Sequence, residues 1–150
     1  MESLKEELLT RPASLSPADA GEPLVSIMSF CKDRAPTIRR SIESVLSQSY
    51  RNFELVVQDG ASTDGTLEIL KSYDDPRIKI VSQKDSGVAE AFWRALNRCQ
   101  GDIIGTCLSD EELMPGAIEK AVEFFRENRD VGAMTCDGYR PRSPARFSGS

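Results

Sequence analysis

Carboxylates are the main reactive groups in this sequence. Its 150 residues contain no histidine, which removes the commonest general base and metal ligand, together with histidine-based triads and zinc sites. Acid, base or metal chemistry must therefore come from Asp, Glu, Lys, Tyr or Cys. Acidic groups recur in short polar segments that directly follow apolar runs: CKDR at 31–34, DGASTDG at 59–65, KDSG at 84–87, SDEE at 109–112 and DGY at 137–139. Hard oxygen donors grouped in this way suit a divalent cation and a substrate that carries phosphate. The four cysteines, Cys31, Cys99, Cys107 and Cys136, are far apart with no C-x-x-C pair. They read as reduced, partly buried thiols.

These segments share a site only if the elements before them lie side by side. VSIMSF (25–30) has strand length, and after Pro36 the residues Ile38, Ile42, Val45 and Leu46 recur at helical spacing. FELVVQ (53–58) reads as a second strand, followed by a turn-rich loop and a short helix through Leu67, Ile69 and Leu70 that Ser62 or Thr63 caps. IKIVSQ (78–83) is a third strand. Residues 87–99 predict a helix with Val88, Ala91, Phe92, Ala95 and Leu96 on one face, DIIGTCL (102–108) a fourth strand, 115–125 another helix, and VGAMTC (131–136) a fifth strand. Strands alternating with helices imply an α/β fold: three Rossmann-like layers, a mainly parallel sheet with helices on both faces. In such sheets the ligand crevice lies beyond the carboxyl ends of the strands, where the acidic segments fall.

Composition narrows the class. With 39% hydrophobic and 29% charged residues the chain reads as globular, and its length suits one domain. A formal charge of −5 gives no overall positive field, so nucleic acid is not expected as a partner. Apolar runs are too short for a transmembrane segment, the N-terminus MESLKEELLT lacks a secretory h-region, and a cytoplasmic location is the expectation. Residues 1–22 and 140–150, rich in Pro, Ser, Gly and Ala, read as a flexible flank and a disordered tail around a domain at 23–139. Neither G-x-x-x-x-G-K-[ST] nor G-x-G-x-x-G occurs at a strand-to-helix turn, which argues against a P-loop NTPase or a dehydrogenase. CKDRAP also lacks the glycine pattern that a nucleotidyltransferase needs after its first strand.

The run VSIMSFCKDRAPTIRRSIESVLSQSYRNFELVVQDGASTDGTLEIL, followed by DSGVAEAFWRALNRCQGDIIGTCLSDEELMPGAIEKAVEFF, resembles the family 2 glycosyltransferases with a GT-A fold. The most specific piece is the second strand running into DGASTDGT, similar to the family's D-G-x-S-T-D-G-T, with GDIIG and SDxxxxPG downstream. The resemblance implies that Asp59 bonds the nucleotide base, usually uracil. Cys31 and Asp33 stand where the family usually has Thr and Asn, and Asp85 matches an acidic residue near the nucleotide. Asp110 matches the last aspartate of the D-x-D metal motif, with Ser109 beside it; Leu108 replaces the first aspartate, and Glu111 follows as a second metal candidate.

The same resemblance implies Mg2+ or Mn2+ as cofactor and transfer of a sugar from a nucleoside diphosphate sugar, UDP-linked, to an acceptor hydroxyl that the sequence does not identify. Asp137 is the late acidic candidate for general base. The chain reads as the nucleotide-sugar-binding half of such an enzyme, apparently truncated, with a possible homo-oligomer formed through the uncovered surface. The alternative is a catalytically inactive nucleotide-binding or partner-binding remnant. Blander roles stand beside the sharp ones: turn or cap for Asp64, backbone geometry for Gly60 and Gly65, packing for Trp93, and a solvated helix face for Arg34, Arg39 and Arg40.

Overall fold

The structure, a computed structural model, describes residues 21–135. Eight elements follow in order: β1 (Val25–Cys31), α1 (Ile38–Leu46), β2 (Phe53–Asp59), α2 (Thr66–Lys71), β3 (Ile78–Ser82), α3 (Val88–Leu96), β4 (Ile103–Thr106) and α4 (Ala117–Glu127). The four strands pair in parallel in the order β3-β2-β1-β4. β2 is buried along its whole length, its polar Glu54, Gln58 and Asp59 included, and at its centre Leu55, Val56 and Val57 are apolar without alternation, as in a strand covered on both faces.

Strand residues point alternately to the two faces, and each face has its own core. Val25, Ile27, Phe53, Leu55 and Val57 meet Ile38, Ile42 and Val45 of α1, Leu70 of α2, and Ile118 and Val122 of α4. On the opposite face Met28 and Val56 pack against Ala95 of α3 and Cys99 just beyond it. The result is three layers with helices on both sides of the sheet. Full burial of one aliphatic side chain contributes about 1.5–3 kcal/mol, so the first, larger core carries most of the stabilisation.

From β1 the chain steps to β2 and then β3 on one side, after which β4 returns to pair with β1 on the other side. The order therefore reverses next to β1. A doubly wound sheet opens its ligand crevice at this reversal, outside the carboxyl ends of the strands.

Several expectations need correction. Residues 131–135 form no strand, and Cys136 lies outside the described residues. After α4 the chain turns, with the Val131 N–H bonding the Asn128 carbonyl at 3.1 Å, and Gly132 and Ala133 are exposed. α2 has Gly65 at its N-cap without a side-chain cap, so neither Ser62 nor Thr63 fills that role. Val88, placed on the inward face of α3 by spacing, is 71% exposed; Phe92, 38% exposed, packs edge-to-face on Phe30 of β1 with ring centroids 6.1 Å apart, and Ala91 and Ala95 are buried. Residues 1–20, Asp137 and the tail 140–150 lie outside the described residues.

A buried polar cluster ties the amino end of the sheet together on the α3 face. Glu54 accepts from the Ser26 hydroxyl and the Gln100 N–H, both at 2.6 Å, and from the Lys79 ammonium. The Ser26 hydroxyl accepts in turn from the Gly101 N–H at 2.8 Å. A side chain at Gly101 would put its Cβ 2.6 Å from the Ser26 nitrogen, so only glycine lets the turn into β4 approach β1 this closely.

Candidate functional site

At the carboxyl end of the sheet, Cys31, Asp59 and Ser82 are register partners across β1, β2 and β3. Parity points all three side chains to the α1 face, where they meet. Asp59 is fully buried. Its Oδ2 accepts from the Ser82 hydroxyl at 2.6 Å and from the Ser62 N–H at 3.1 Å, and its Oδ1 accepts from the Ser62 hydroxyl and the Cys31 thiol, the latter at 3.8 Å. Burial, and then the neighbouring Asp59 carboxylate, push the Cys31 thiol up to about 12. The thiol therefore stays protonated and serves as a donor, not a nucleophile.

The loops after β1 and β2 are stitched together beside this row. The Asp33 N–H bonds the Ser62 hydroxyl and the Thr63 N–H bonds Asp33 Oδ1, each at 2.8 Å. The Arg34 N–H reaches the Thr66 hydroxyl at 2.7 Å, and the Ala35 N–H reaches Asp64 Oδ2 at 2.9 Å. Asp64 Oδ1 accepts from the Thr66 N–H and hydroxyl, which hold the Asp64 carboxyl below its usual range, led by the hydroxyl. Asp64 is thus a turn and helix-start residue. Asp33 and Ala61 carry left-handed φ angles of 52° and 60°. Aspartate tolerates that region through local bonding, whereas alanine gains nothing there.

Gly60 is the point where three loops converge. Its N–H bonds the Cys31 carbonyl at 2.8 Å, and a Cβ there would lie 2.8 Å from Asp85 Oδ2 and 3.3 Å from Lys32 Cβ. Asp85 Oδ1 accepts from the Gly87 N–H at 3.0 Å, while Oδ2 has no donor among the described residues. The residues singled out after β1, β2 and β3 therefore form one cluster.

The fourth loop lies on the other side of β1. Ser109 is buried and Asp110 and Glu111 are exposed. The Leu108 N–H bonds Glu111 Oε2 at 3.0 Å, and Glu112 pairs with Arg40 at 3.5 Å. The Asp110 carboxylate has no hydrogen bond or ion pair among the described residues. Nor does any group of three or more His, Cys, Asp or Glu that could hold a metal occur among them. The donor set fits a cation that takes one or two carboxylate oxygens and completes its shell with phosphate and water, as Mg2+ commonly does.

Sequence reasoning found Cys31, Asp33, Asp59 and Asp85 in this cluster but missed Ser62 and Ser82, the hydroxyls that bind Asp59. Ser82 carries no signal in the sequence, since it meets Asp59 only through the register of β2 with β3.

A parallel three-layer sheet with an acidic crevice at its reversal point is a Rossmann-like arrangement of the GT-A type. The chain belongs to glycosyl transferase family 2, whose model matches residues 26–147. It is 37% identical over 114 residues to the chondroitin synthase of Escherichia coli, an alignment covering 75% of this chain and 17% of that protein. Among solved structures it resembles S. aureus TarS 1-349 in complex with UDP-GlcNAc, with a TM-score of 0.66 and 24% identity over 70% of this chain and 32% of that one. It also resembles the mannosyltransferase PcManGT of Pyrobaculum calidifontis in complex with GDP-Man and Mn2+, with a TM-score of 0.64 and 24% identity over 82% of this chain and 38% of that one. The chain spans only a fraction of the length of these proteins.

Proposed function

We propose that this chain binds a UDP-linked sugar with Mg2+ or Mn2+ and contributes the donor side of glycosyl transfer to an acceptor hydroxyl. The observation that carries the reading is the donor inventory of Asp59. An ionised carboxylate offers about four lone-pair sites, and the Ser62 N–H, the Ser62 hydroxyl, the Ser82 hydroxyl and the Cys31 thiol already address them. A base enters by displacing one rotatable hydroxyl. Uracil presents a single ring N–H and needs one such displacement. Guanine presents two adjacent donors and would need both oxygens cleared, so the crowded carboxylate favours uracil.

In this reading Asp59 fixes the base, Cys31 and Asp33 shape the wall beneath it, and Asp85, with a free Oδ2, accepts from the ribose or base. Asp110 holds the cation, Glu111 supplies its unengaged oxygen, and Ser109 braces the loop at the diphosphate. The cation, when bound, offsets charge on the departing diphosphate. Asp137 remains the general-base candidate, the acceptor is unassigned, and no histidine is needed for any of these roles.

Calorimetry with UDP and Mn2+ tests the reading, with GDP as the comparison. UDP is expected to bind more tightly than GDP, with Asp59→Ala abolishing base recognition and Asp110→Asn removing the metal dependence. Absence of UDP binding by the wild type, or unchanged binding in both variants, would refute the assignment.

A further inference from the structure

The loop that carries Asp110 has almost no regular structure of its own. Between β4 and α4 the chain runs from Cys107 to Gly116 without strand or helix, and its backbone polar groups must find partners elsewhere. The Cys107 N–H bonds the Met28 carbonyl of β1 at 3.1 Å, and the Glu111 N–H closes a turn on the Leu108 carbonyl at 3.0 Å; other groups of the segment are met from one helix and the residue just past it. The Ser41 hydroxyl donates to the Leu108 carbonyl at 2.8 Å, and the Leu113 N–H donates to the Ser44 hydroxyl at 3.0 Å. The Gln48 amide donates to the Met114 carbonyl at 3.0 Å and accepts from the Ile118 N–H at 3.3 Å.

Ser41 and Ser44 lie on α1, and Gln48 follows one residue beyond its C-cap. Their spacing of three and then four residues places them on a single side of the helix, next to the apolar face of Ile38, Ile42 and Val45. Ser41 and Gln48 are 2% and 1% exposed, so these bonds are shielded from water.

Asp110 sits between the two sets of anchors, and its own side chain has no partner among the described residues. Nothing but the backbone path can therefore aim its carboxylate. We propose that Ser41, Ser44 and Gln48 are positioning residues for the cation: α1 holds both ends of the 108–118 segment and so sets where Asp110 presents its oxygens. The inference rests on the reading of Asp110 as the metal-binding carboxylate. It adds that the metal geometry is written on a helix that contributes no ligand.

The test titrates Mn2+ into the chain at saturating UDP and, separately, UDP at saturating Mn2+, with melting temperatures recorded for each variant. Removing a group that orients a ligand costs about 10–100-fold in metal affinity. Gln48→Leu and Ser41→Ala are expected to raise the half-saturating Mn2+ concentration by about tenfold or more while leaving UDP affinity at saturating Mn2+ unchanged. A general structural defect would weaken both titrations together. Ser44→Ala, at a half-buried position, provides the same comparison if a buried substitution prevents folding, and Arg40→Ala, on the exposed Glu112 pair, is expected to leave both titrations unaltered. If Asp110→Asn abolishes the Mn2+ dependence but the α1 variants do not shift it, the positioning role is refuted and the metal reading survives. If Asp110→Asn itself has no effect, the metal reading fails and the positioning role falls with it.

Discussion

Ala61 is the residue whose chemistry suits its place least. Its φ of 60° sets Cβ against the following carbonyl, at a cost of about 1–2 kcal/mol, in the loop that presents Ser62 to Asp59. Glycine removes the clash but adds freedom to the unfolded chain worth about 0.5–1 kcal/mol. Ala61→Gly is therefore expected to stabilise the chain by about 0.5–1 kcal/mol, the difference between those effects; an unchanged or lower urea midpoint would contradict that account. At this scale the sequence revealed the carboxylates and hid their partners. Asp59 stood out because DGASTDGT is an ordered local motif, whereas Ser82 lies 23 residues further on and reaches Asp59 only through strand register. Spacing along the chain carries no trace of such a contact.

Among elements, β2 carries two buried acids with opposite duties. Glu54 and Asp59 face opposite sides of the sheet, Glu54 at the amino end against α3 and Asp59 at the carboxyl end in the crevice. Burial alone would raise the Glu54 carboxyl, but the bonds from Lys79, Ser26 and Gln100 outweigh it and hold the group below its usual value. A carboxyl lowered in the folded state stabilises the protein above its unfolded pKa, and that contribution disappears as pH falls through the folded pKa. Glu54→Gln is expected to lose about 1.5–3 kcal/mol near neutral pH, the worth of hydrogen bonds to a charged group, with the deficit shrinking at acid pH. Denaturant midpoints from neutral to acid pH check this, and a deficit independent of pH would overturn it.

The elements themselves were legible wherever periodicity met burial. The spacing of Ile38, Ile42 and Val45 gave α1, and the run FELVV, apolar but for Glu54, gave β2. VGAMTC failed because apolar content does not supply a neighbouring strand, and residues 131–135 pair with none among the described residues. On α3 the spacing that groups Val88 with Ala91, Phe92 and Ala95 fails at Val88, the first residue of the helix, because spacing does not show how far the sheet extends beneath it.

For the molecule as a whole, stability is unevenly distributed. β1 and β2 lie at the centre of the sheet between the two cores, while β4 is a four-residue edge strand with Ile104 38% exposed. Local opening follows such differences in burial. Hydrogen exchange read by mass spectrometry is expected to be slowest in β1 and β2 and distinctly faster in β4; equal protection across all four strands would show that the sheet opens only as one unit. Among the described residues no helix is long and apolar enough to cross a membrane. The architecture was readable because alternating strands and helices permit few topologies, but the strand order that puts Asp110's loop across β1 from Asp59 was not.

That strand order also bears on the order in which the parts of the sheet can form. β1, β2 and β3 join segments close along the chain, whereas seating β4 beside β1 brings together groups 78 residues apart, as in the bond from the Leu24 N–H to Asp102. Longer loops close more slowly and at greater entropic cost. A chain emerging from the ribosome can therefore assemble the Cys31–Asp59–Ser82 row while the Asp110 loop has yet to be made, so one side of the crevice can be in place before the other arrives to complete it.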